Sequence, residues 1–341
     1  MRNSLSLAVR PQLTPNRTVS TTNVAGFKAY LMQSLCSPFT VNLENCNLLE
    51  VIRACVGTKS KLHSKYKQTL GCLIHNLSLL EEEYGIKLMP IQITDIFWEY
   101  FISFCQQRGL KSSTIETMCN QLRAILNWAV KYNAKVSPTY SDFRVPQVRN
   151  QEIALTADEI SRIAYFDIDR FYANRRSDFR ETMHRVRDHF ILSANLFQRY
   201  SDMIRINPSC FDRNIFRITQ QKTGNLAVVN IDRYSIDSRT TYRILEKYNY
   251  SAPYTSTIGN YNHYLHILMK DIGLDDEVRI EDRVNGELVT TCVPKWKLIS
   301  SHTARRSAIT INVLRGHNIH AIKRCSGHSD LRVFDRYIRD E

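Results

Sequence analysis

The sequence predicts a mainly α-helical chain with a small antiparallel β-sheet, divided into two domains. Three observations lead there. Apolar residues recur at three- and four-residue steps through about residues 58–135. A polar stretch containing prolines then interrupts the pattern. Beyond Thr156 the helical period resumes, broken by one clear β-hairpin. With 341 residues the chain has room for two domains and a short N-terminal module.

The first part, rich in Ser, Thr, Asn and Pro, reads as a mobile terminus. Residues 21–55 read two ways, as a small accessory module or as segments packing on the helices after them. From Thr58 a long helix carries Leu62, Tyr66, Leu70, Leu73 and Leu77 on one stripe and ends near Gly85. Thr94 and Asp95 open a second helix bearing Ile96, Phe97, Tyr100, Phe101 and Phe104, closed by Arg108 and Gly109. A third begins at Ser113, with Glu116 completing a capping box, and runs through Leu122, Ile125, Leu126 and Ala129.

Pro138, Pro146 and the run Arg149-Asn150-Gln151 mark a linker. The expected organisation is therefore an N-terminal segment at 1–55, a helical domain at 56–140, a linker at 141–154 and a second domain at 155–341. That second domain opens on a Thr156–Glu159 capping box. Its hairpin pairs residues 216–219 with 226–231 around Lys222-Thr223-Gly224-Asn225, and a further hairpin turns at Asn285-Gly286.

Composition narrows the class. The chain is 43% hydrophobic and 23% charged, an ordinary globular balance. No apolar run approaches the roughly 18 residues of a membrane span, and the N-terminus lacks a secretory apolar stretch. A cytoplasmic location follows as the expectation. The nine cysteines form no CxxC pair, which reads as reduced, mostly buried thiols, neither a zinc site nor a disulfide framework. A net charge of +13, spread along the chain, suggests a folded basic surface that attracts polyanions.

The residues that carry chemistry lie in the second domain. His302 and Arg305, three apart in Ser-His-Thr-Ala-Arg-Arg, share a helix face and can approach one phosphate together. Downstream come Gly327-His328 and then Tyr337. Upstream, Arg199 follows a helical segment and Lys222 sits on the hairpin turn. Taken singly, each has a plain reading. Lys222 is a solvated turn residue, and His302 with Arg305 a surface pair. His328 belongs to a helix start, and Tyr337 is an aromatic on an amphipathic helix.

The order Arg199, Lys222 on a β-turn, His302-x-x-Arg305, Gly327-His328 and Tyr337 resembles the tyrosine recombinases, or phage-type integrases. The run at 299–307, ISSHTARRS, is especially similar to integrases of Bacteroidetes mobile elements. The resemblance covers about 155–341 and, less closely, 58–135. It implies a C-shaped, two-domain DNA clamp: a helical SAM-like core-binding domain followed by the catalytic domain. It implies double-stranded DNA as substrate, a homotetramer on paired sites, accessory DNA-bending or directionality factors, and no membrane. The alternatives within the same fold are a Xer-like resolvase, a DNA invertase, or a catalytically idle DNA-binding relative.

The chemistry explains the residue types. An alcohol attacking a phosphodiester builds negative charge, which the guanidinium forks of Arg199 and Arg305 can stabilise. Tyr337, the nucleophile, has an ordinary phenol pKa near about 10 and needs help to ionise. His302 is the candidate base, Lys222 the acid for the leaving 5′ oxygen, and His328 a donor to phosphate. Asp202 is expected to orient an arginine or His302. The product is a 3′-phosphotyrosyl link that retains bond energy, so neither ATP, metal nor other cofactor is expected. In the helical domain, Lys111, Ser112, Ser113, Thr114, Asn120 and Arg123 are the candidate DNA contacts, with capping and solubility as their plain alternative.

Two departures stand out. Tyr200 is bulky where the family usually has a small or aliphatic residue. Few residues follow Tyr337, whereas many relatives dock a tail on a neighbour, so protomer contacts are expected from the tyrosine helix or the N-terminal segment.

Overall fold

A computed structural model describes residues 43–58, 64–142, 153–284 and 287–329. The chain divides into two compact units, Met1–Arg149 with Asp282–Val289, and Asn150–Glu281 with Thr290–Glu341.

The first unit is a helical bundle. After a 3-10 turn at Leu43–Asn45 come α1 (Leu48–Gly57), α2 (Ser64–Tyr84), α3 (Asp95–Gln107) and α4 (Ser112–Val130). Helix α1 runs across residue 55 and starts in a capping box, Asn47 accepting from the Glu50 amide and Glu50 from that of Asn47. Leu48, Val51, Ile52 and Cys55 join one core with Leu70, Leu73 and Leu77 of α2. Of the two readings of residues 21–55, packing therefore holds for the described part, 43–55. Leu62 and Asn285-Gly286 lie outside the described residues, as do Pro146 and Arg149-Asn150-Gln151.

Two local expectations are corrected. On α3, Phe97, Phe101 and Phe104 are buried, but Ile96 is 67% and Tyr100 60% exposed. Its inward face is taken by Trp98, Phe101, Ile102 and Cys105, leaving those two on the far side. Helix α4 begins one residue early, at Ser112, with Lys111 at the cap and no side-chain cap bond. The Ser113–Glu116 capping box is replaced by an ordinary first turn, in which Ser113 O accepts from Thr117 Oγ1 at 2.8 Å.

The second unit opens with α5 (Ala157–Tyr165), capped as expected by the Thr156–Glu159 box. Then come α6 (Ile168–Phe171), α7 (Ser177–Asn195), α8 (Tyr200–Met203), β1 (Phe211–Asp212), β2 (Ile215–Thr219), β3 (Leu226–Asn230), α9 (Ile231–Tyr234), α10 (Ser238–Lys247), α11 (Ile258–Asp271), β4 (Glu277–Val284) and β5 (Glu287–Pro294), whose residues Asp282–Val289 fall to the first unit, then α12 (Ser301–Leu314) and α13 (Ile319–Ser326). Helix α7 is central, touching α5, α10, α11 and α12. Its second half, Val186 and Asp188 through Asn195, is buried.

The expected hairpin is the antiparallel β2–β3 pair, with Phe216 opposite Val229 and Ile218 opposite Ala227. Alternation puts those four inward. A short first strand, β1, pairs with β2 and is too brief to show periodicity. Against α7, the ring of Tyr200 packs 5.1 Å from His189 and 4.8 Å from Tyr261. The bulk of Tyr200 is absorbed by an aromatic cluster under α8.

Candidate active site

Helix α7 ends at Asn195, and the chain must turn sharply to start α8. Phe197 takes a left-handed φ of +60° to do so, its ring fully buried. This turn puts Arg199 at the N-cap of α8, with Asp202 one turn on and 0% exposed. Arg199 Nη1 is 3.9 Å from Asp202 Oδ2, and Arg205 Nη1 is 3.6 Å from Asp202 Oδ1. Asp202 Oδ1 also accepts from the Gln221 amide at 2.8 Å. Asp202 thus lies beside Arg199 and pins the base of the Lys222 turn, whereas orientation of His302 is not among its bonds.

On α12, His302 and Arg305 fall in the first two turns, behind a Ser300 cap. Arg305 is 0% exposed. Its Nη1 donates to Phe197 O at 3.0 Å, and its Nη2 lies 3.1 Å from His328 Nε2 and 3.2 Å from Nδ1. The strained carbonyl beside Arg199 and the histidine after α13 therefore meet on one guanidinium.

Helix α13 ends in a left-handed Gly327, φ +66°, whose turn carries His328 back with its amide on Lys323 O. The plain reading of Gly327-His328 as a helix start is corrected: it is a helix end. Ser326 Oγ lies 2.8 Å from His328 Nδ1 and steadies the ring.

Lys222 is exposed on the β2–β3 turn. Beneath it lies Gln220, 1% exposed. Its Oε1 accepts from Arg199 Nη1 at 2.8 Å and from Thr223 Oγ1 at 3.2 Å. Its Nε2 donates to Ser326 O at 2.7 Å and to Gln198 Oε1 at 3.1 Å. Asn225 Nδ2 adds a bond to Gly327 O at 3.1 Å. One hydrogen-bonded path, Arg199–Gln220–Ser326–His328–Arg305, joins four separate stretches of sequence. Tyr337 lies outside the described residues.

No family model matches the sequence, and no curated protein matches it. Solved structures do. A lambda integrase tetramer bound to a Holliday junction aligns at TM-score 0.60 and 16% identity, covering 96% of this chain and 88% of that one. The Tn1549 transposon integrase in complex with transposon right end DNA aligns at 0.60 and 14%, covering 87% and 96%. Both are tyrosine recombinases. The chain has the tyrosine-recombinase fold.

Within this recombinase fold the electrostatics are one-sided. His302 is pushed down to about 4, by burial first and then by Arg306, Arg305, Arg199 and Lys222. His328 is pushed down to about 3, again by burial and then by Arg305, Arg199 and His302. Both imidazoles are neutral at pH 7, the protonation state from which a general base starts. The surrounding cations suit a phosphate and would favour a phenolate.

Sequence reading missed Gln220, Gln198 and Ser326. Uncharged amides and a hydroxyl carry no titration signal, although Gln198 adjoins Arg199 and Gln220 lies two residues before Lys222. The candidate DNA contacts sit on α4. Lys111, Ser113 and Asn120 are exposed, Thr114 and Arg123 half-buried. Ser112 Oγ donates to Asp282 Oδ1 at 2.7 Å, and Arg123 Nη1 to Asn120 Oδ1 at 3.1 Å.

Proposed function

We propose that this chain is a site-specific DNA recombinase that cuts and rejoins DNA through a 3′-phosphotyrosyl intermediate on Tyr337. The observation that carries the reading is the assembly of Arg199, Arg305 and His328 on one hydrogen-bonded path beside the Lys222 turn. That convergence of fork donors and a neutral imidazole fits a phosphodiester approaching its transition state.

In this reading the scissile phosphate enters with its non-bridging oxygens toward Arg199, Arg305 and His328. His302 accepts the phenolic proton as the Tyr337 oxygen attacks phosphorus. The bond to the 5′ oxygen breaks, and Lys222 protonates that leaving oxygen. A 5′ hydroxyl from a partner strand later attacks the phosphotyrosine and reverses the steps. Energy stays in the covalent link, so the chemistry runs without ATP, metal or cofactor.

The partners are double-stranded DNA and three further copies of the chain on paired sites, with accessory DNA-bending or directionality factors. On α4, Lys111 and the uncapped first turn through Ser112, Ser113 and Thr114 supply backbone contacts, with Asn120 and Arg123 further along. The segment before residue 43 is left for arm-type sites or protomer contacts. No described helix is long and apolar enough to cross a membrane, and the work belongs in the cytoplasm with the DNA.

The test is a nicked suicide substrate resolved by denaturing electrophoresis. The chain should form a covalent protein–DNA adduct, and Tyr337→Phe should not. Absence of the adduct, with DNA still bound, would mark a catalytically idle relative and sink the proposal.

A further inference from the structure

Arg199 does not carry its own geometry. It sits where a short helix begins, 17% exposed along its side chain, with its carboxylate neighbour at the long distance of 3.9 Å. The short bond it makes, 2.8 Å, is to an uncharged amide, Gln220 Oε1. We propose that Gln220 is the positioning residue for Arg199, a neutral clamp that aims the guanidinium at the phosphate and ties that aim to the Lys222 turn and the His328 loop. The catalytic consequence rests on the recombinase reading.

Three features support the assignment. The Gln220 carboxamide uses both ends fully: Oε1 accepts from Arg199 and Thr223, while Nε2 donates to Ser326 O and Gln198 Oε1. The amide orientation is therefore dictated by its partners, since a carbonyl facing Ser326 O would be repelled. The side chain is also walled in. A Cβ added at Gly327 would lie 2.7 Å from Gln220 Cδ, so glycine is what lets the loop close over the amide. Finally, its backbone holds the turn, the amide donating to Asn225 O and the carbonyl accepting from the Gly224 amide, both at 2.9 Å. A shift of Gln220 must move Arg199, Lys222 and the His328 loop together.

The choice of an amide over an acid has chemical content. Glutamate at 220 could still accept from the arginine, but it would turn an oxygen toward Ser326 O and Gln198 Oε1 and cancel charge meant for phosphate. Glutamine fixes the fork and leaves its charge available.

The test uses the full chain and two readouts. In the first, ¹⁵N-arginine NMR follows rotation of the Arg199 guanidinium, assigned by its loss in Arg199→Lys. The unsubstituted protein should show slow, resolved Nη signals, and Gln220→Met should collapse those of Arg199 while sparing those of Arg305. Unchanged Arg199 signals in Gln220→Met overturn the proposal. In the second, single-turnover adduct formation is measured at saturating nicked DNA. Gln220→Met should slow it by about 10- to 100-fold, with DNA affinity unchanged. In an Arg199→Ala background the same substitution should cost less than about twofold, because coupled residues are not additive. Equal losses in both backgrounds would show a merely structural role and overturn it.

If Gln220→Met does not fold, the isosteric Gln220→Glu decides. It retains the acceptor for Arg199 but loses both amide donors and adds a charge, so it should slow cleavage, whereas cleavage at the original rate overturns the neutral clamp. If the unsubstituted chain forms no adduct at all, the recombinase reading falls, and the NMR comparison still decides whether Gln220 holds Arg199.

Discussion

Arg305 and His328, twenty-three residues apart, meet with Arg305 Nη2 between 3.1 and 3.2 Å from the two imidazole nitrogens. The same guanidinium binds Phe197 O at 3.0 Å with its other arm. Lysine can supply the charge but not both arms. Arg305→Lys should therefore slow adduct formation by about 100- to 1000-fold, the scale of losing one charge-stabilising donor. Single-turnover cleavage measures it. A rate within twofold of the original would mean that the fork is unused.

Gly327 faces two constraints, a left-handed φ of +66° and the Gln220 side chain 2.7 Å from any added Cβ. Gly224 has a similar φ of +68° but nothing within 4 Å. Gly224→Ala should cost only the backbone strain, about 1 kcal/mol. Gly327→Ala should cost clearly more and also slow cleavage, since Gln220 is held by four bonds and cannot swing away. Urea midpoints of the two variants, measured side by side, check the difference.

Three histidines resist protonation in the folded chain. His189 is fully buried and pushed down to about 3 by burial alone, His302 to about 4 and His328 to about 3. Their ordinary value is 6.5. Above that pH they are neutral whether folded or unfolded and contribute no pH dependence. Below it the unfolded chain takes up protons that the folded chain refuses, so stability falls as pH drops from 6.5 toward 4. Urea midpoints should decline from pH 7 to pH 5, and His189→Phe should flatten the decline. A level profile over that range in the original chain would contradict the assignment.

Asp202 is 0% exposed between Arg199 and Arg205 and accepts the Gln221 amide at 2.8 Å. Asp202→Asn keeps one carbonyl acceptor but turns an NH₂ group toward a guanidinium. The expected cost is about 1–3 kcal/mol in stability, seen by chemical denaturation, together with slower cleavage. Full stability would remove Asp202 from the support of the site.

Lys111, exposed at the start of α4, tests the binding face of the helical unit. Lys111→Ala should weaken DNA binding across unrelated sequences and reduce the salt slope by about 1. Fluorescence anisotropy over a salt series measures both. An unchanged slope would take Lys111 off the phosphate backbone.

Much of this architecture was legible from residue pattern. The Leu70–Leu73–Leu77 stripe, the Thr94 and Thr156 caps and the β2–β3 hairpin all depend on neighbours within a few residues. Such signals are local, and local geometry is what periodicity and capping encode. The misses share a cause as well. Ile96 and Tyr100 are apolar but face outward, because which side of a helix is buried depends on what packs there. The Ser113–Glu116 spacing permitted a cap that the chain places elsewhere.

For the site, the charged and aromatic residues announced themselves by type and order: Arg199, Lys222, His302, Arg305, His328 and Tyr337. As candidates these six came from sequence alone, through their order and the resemblance to tyrosine recombinases that it carries, and the chemistry of phosphoryl transfer explains why such side chains would be useful. Tertiary structure alone decided that Arg305 meets both Phe197 O and His328, that Gly327 ends a helix, and that Gln220 holds Arg199. Apart from the local Thr223 contact, the side-chain bonds of Arg305 and Gln220 join residues more than twenty positions apart, so their partners are set by how α7, the hairpin, α12 and α13 pack. An amide buried among four partners has no charge or period to betray it, and only the packed fold shows what it holds.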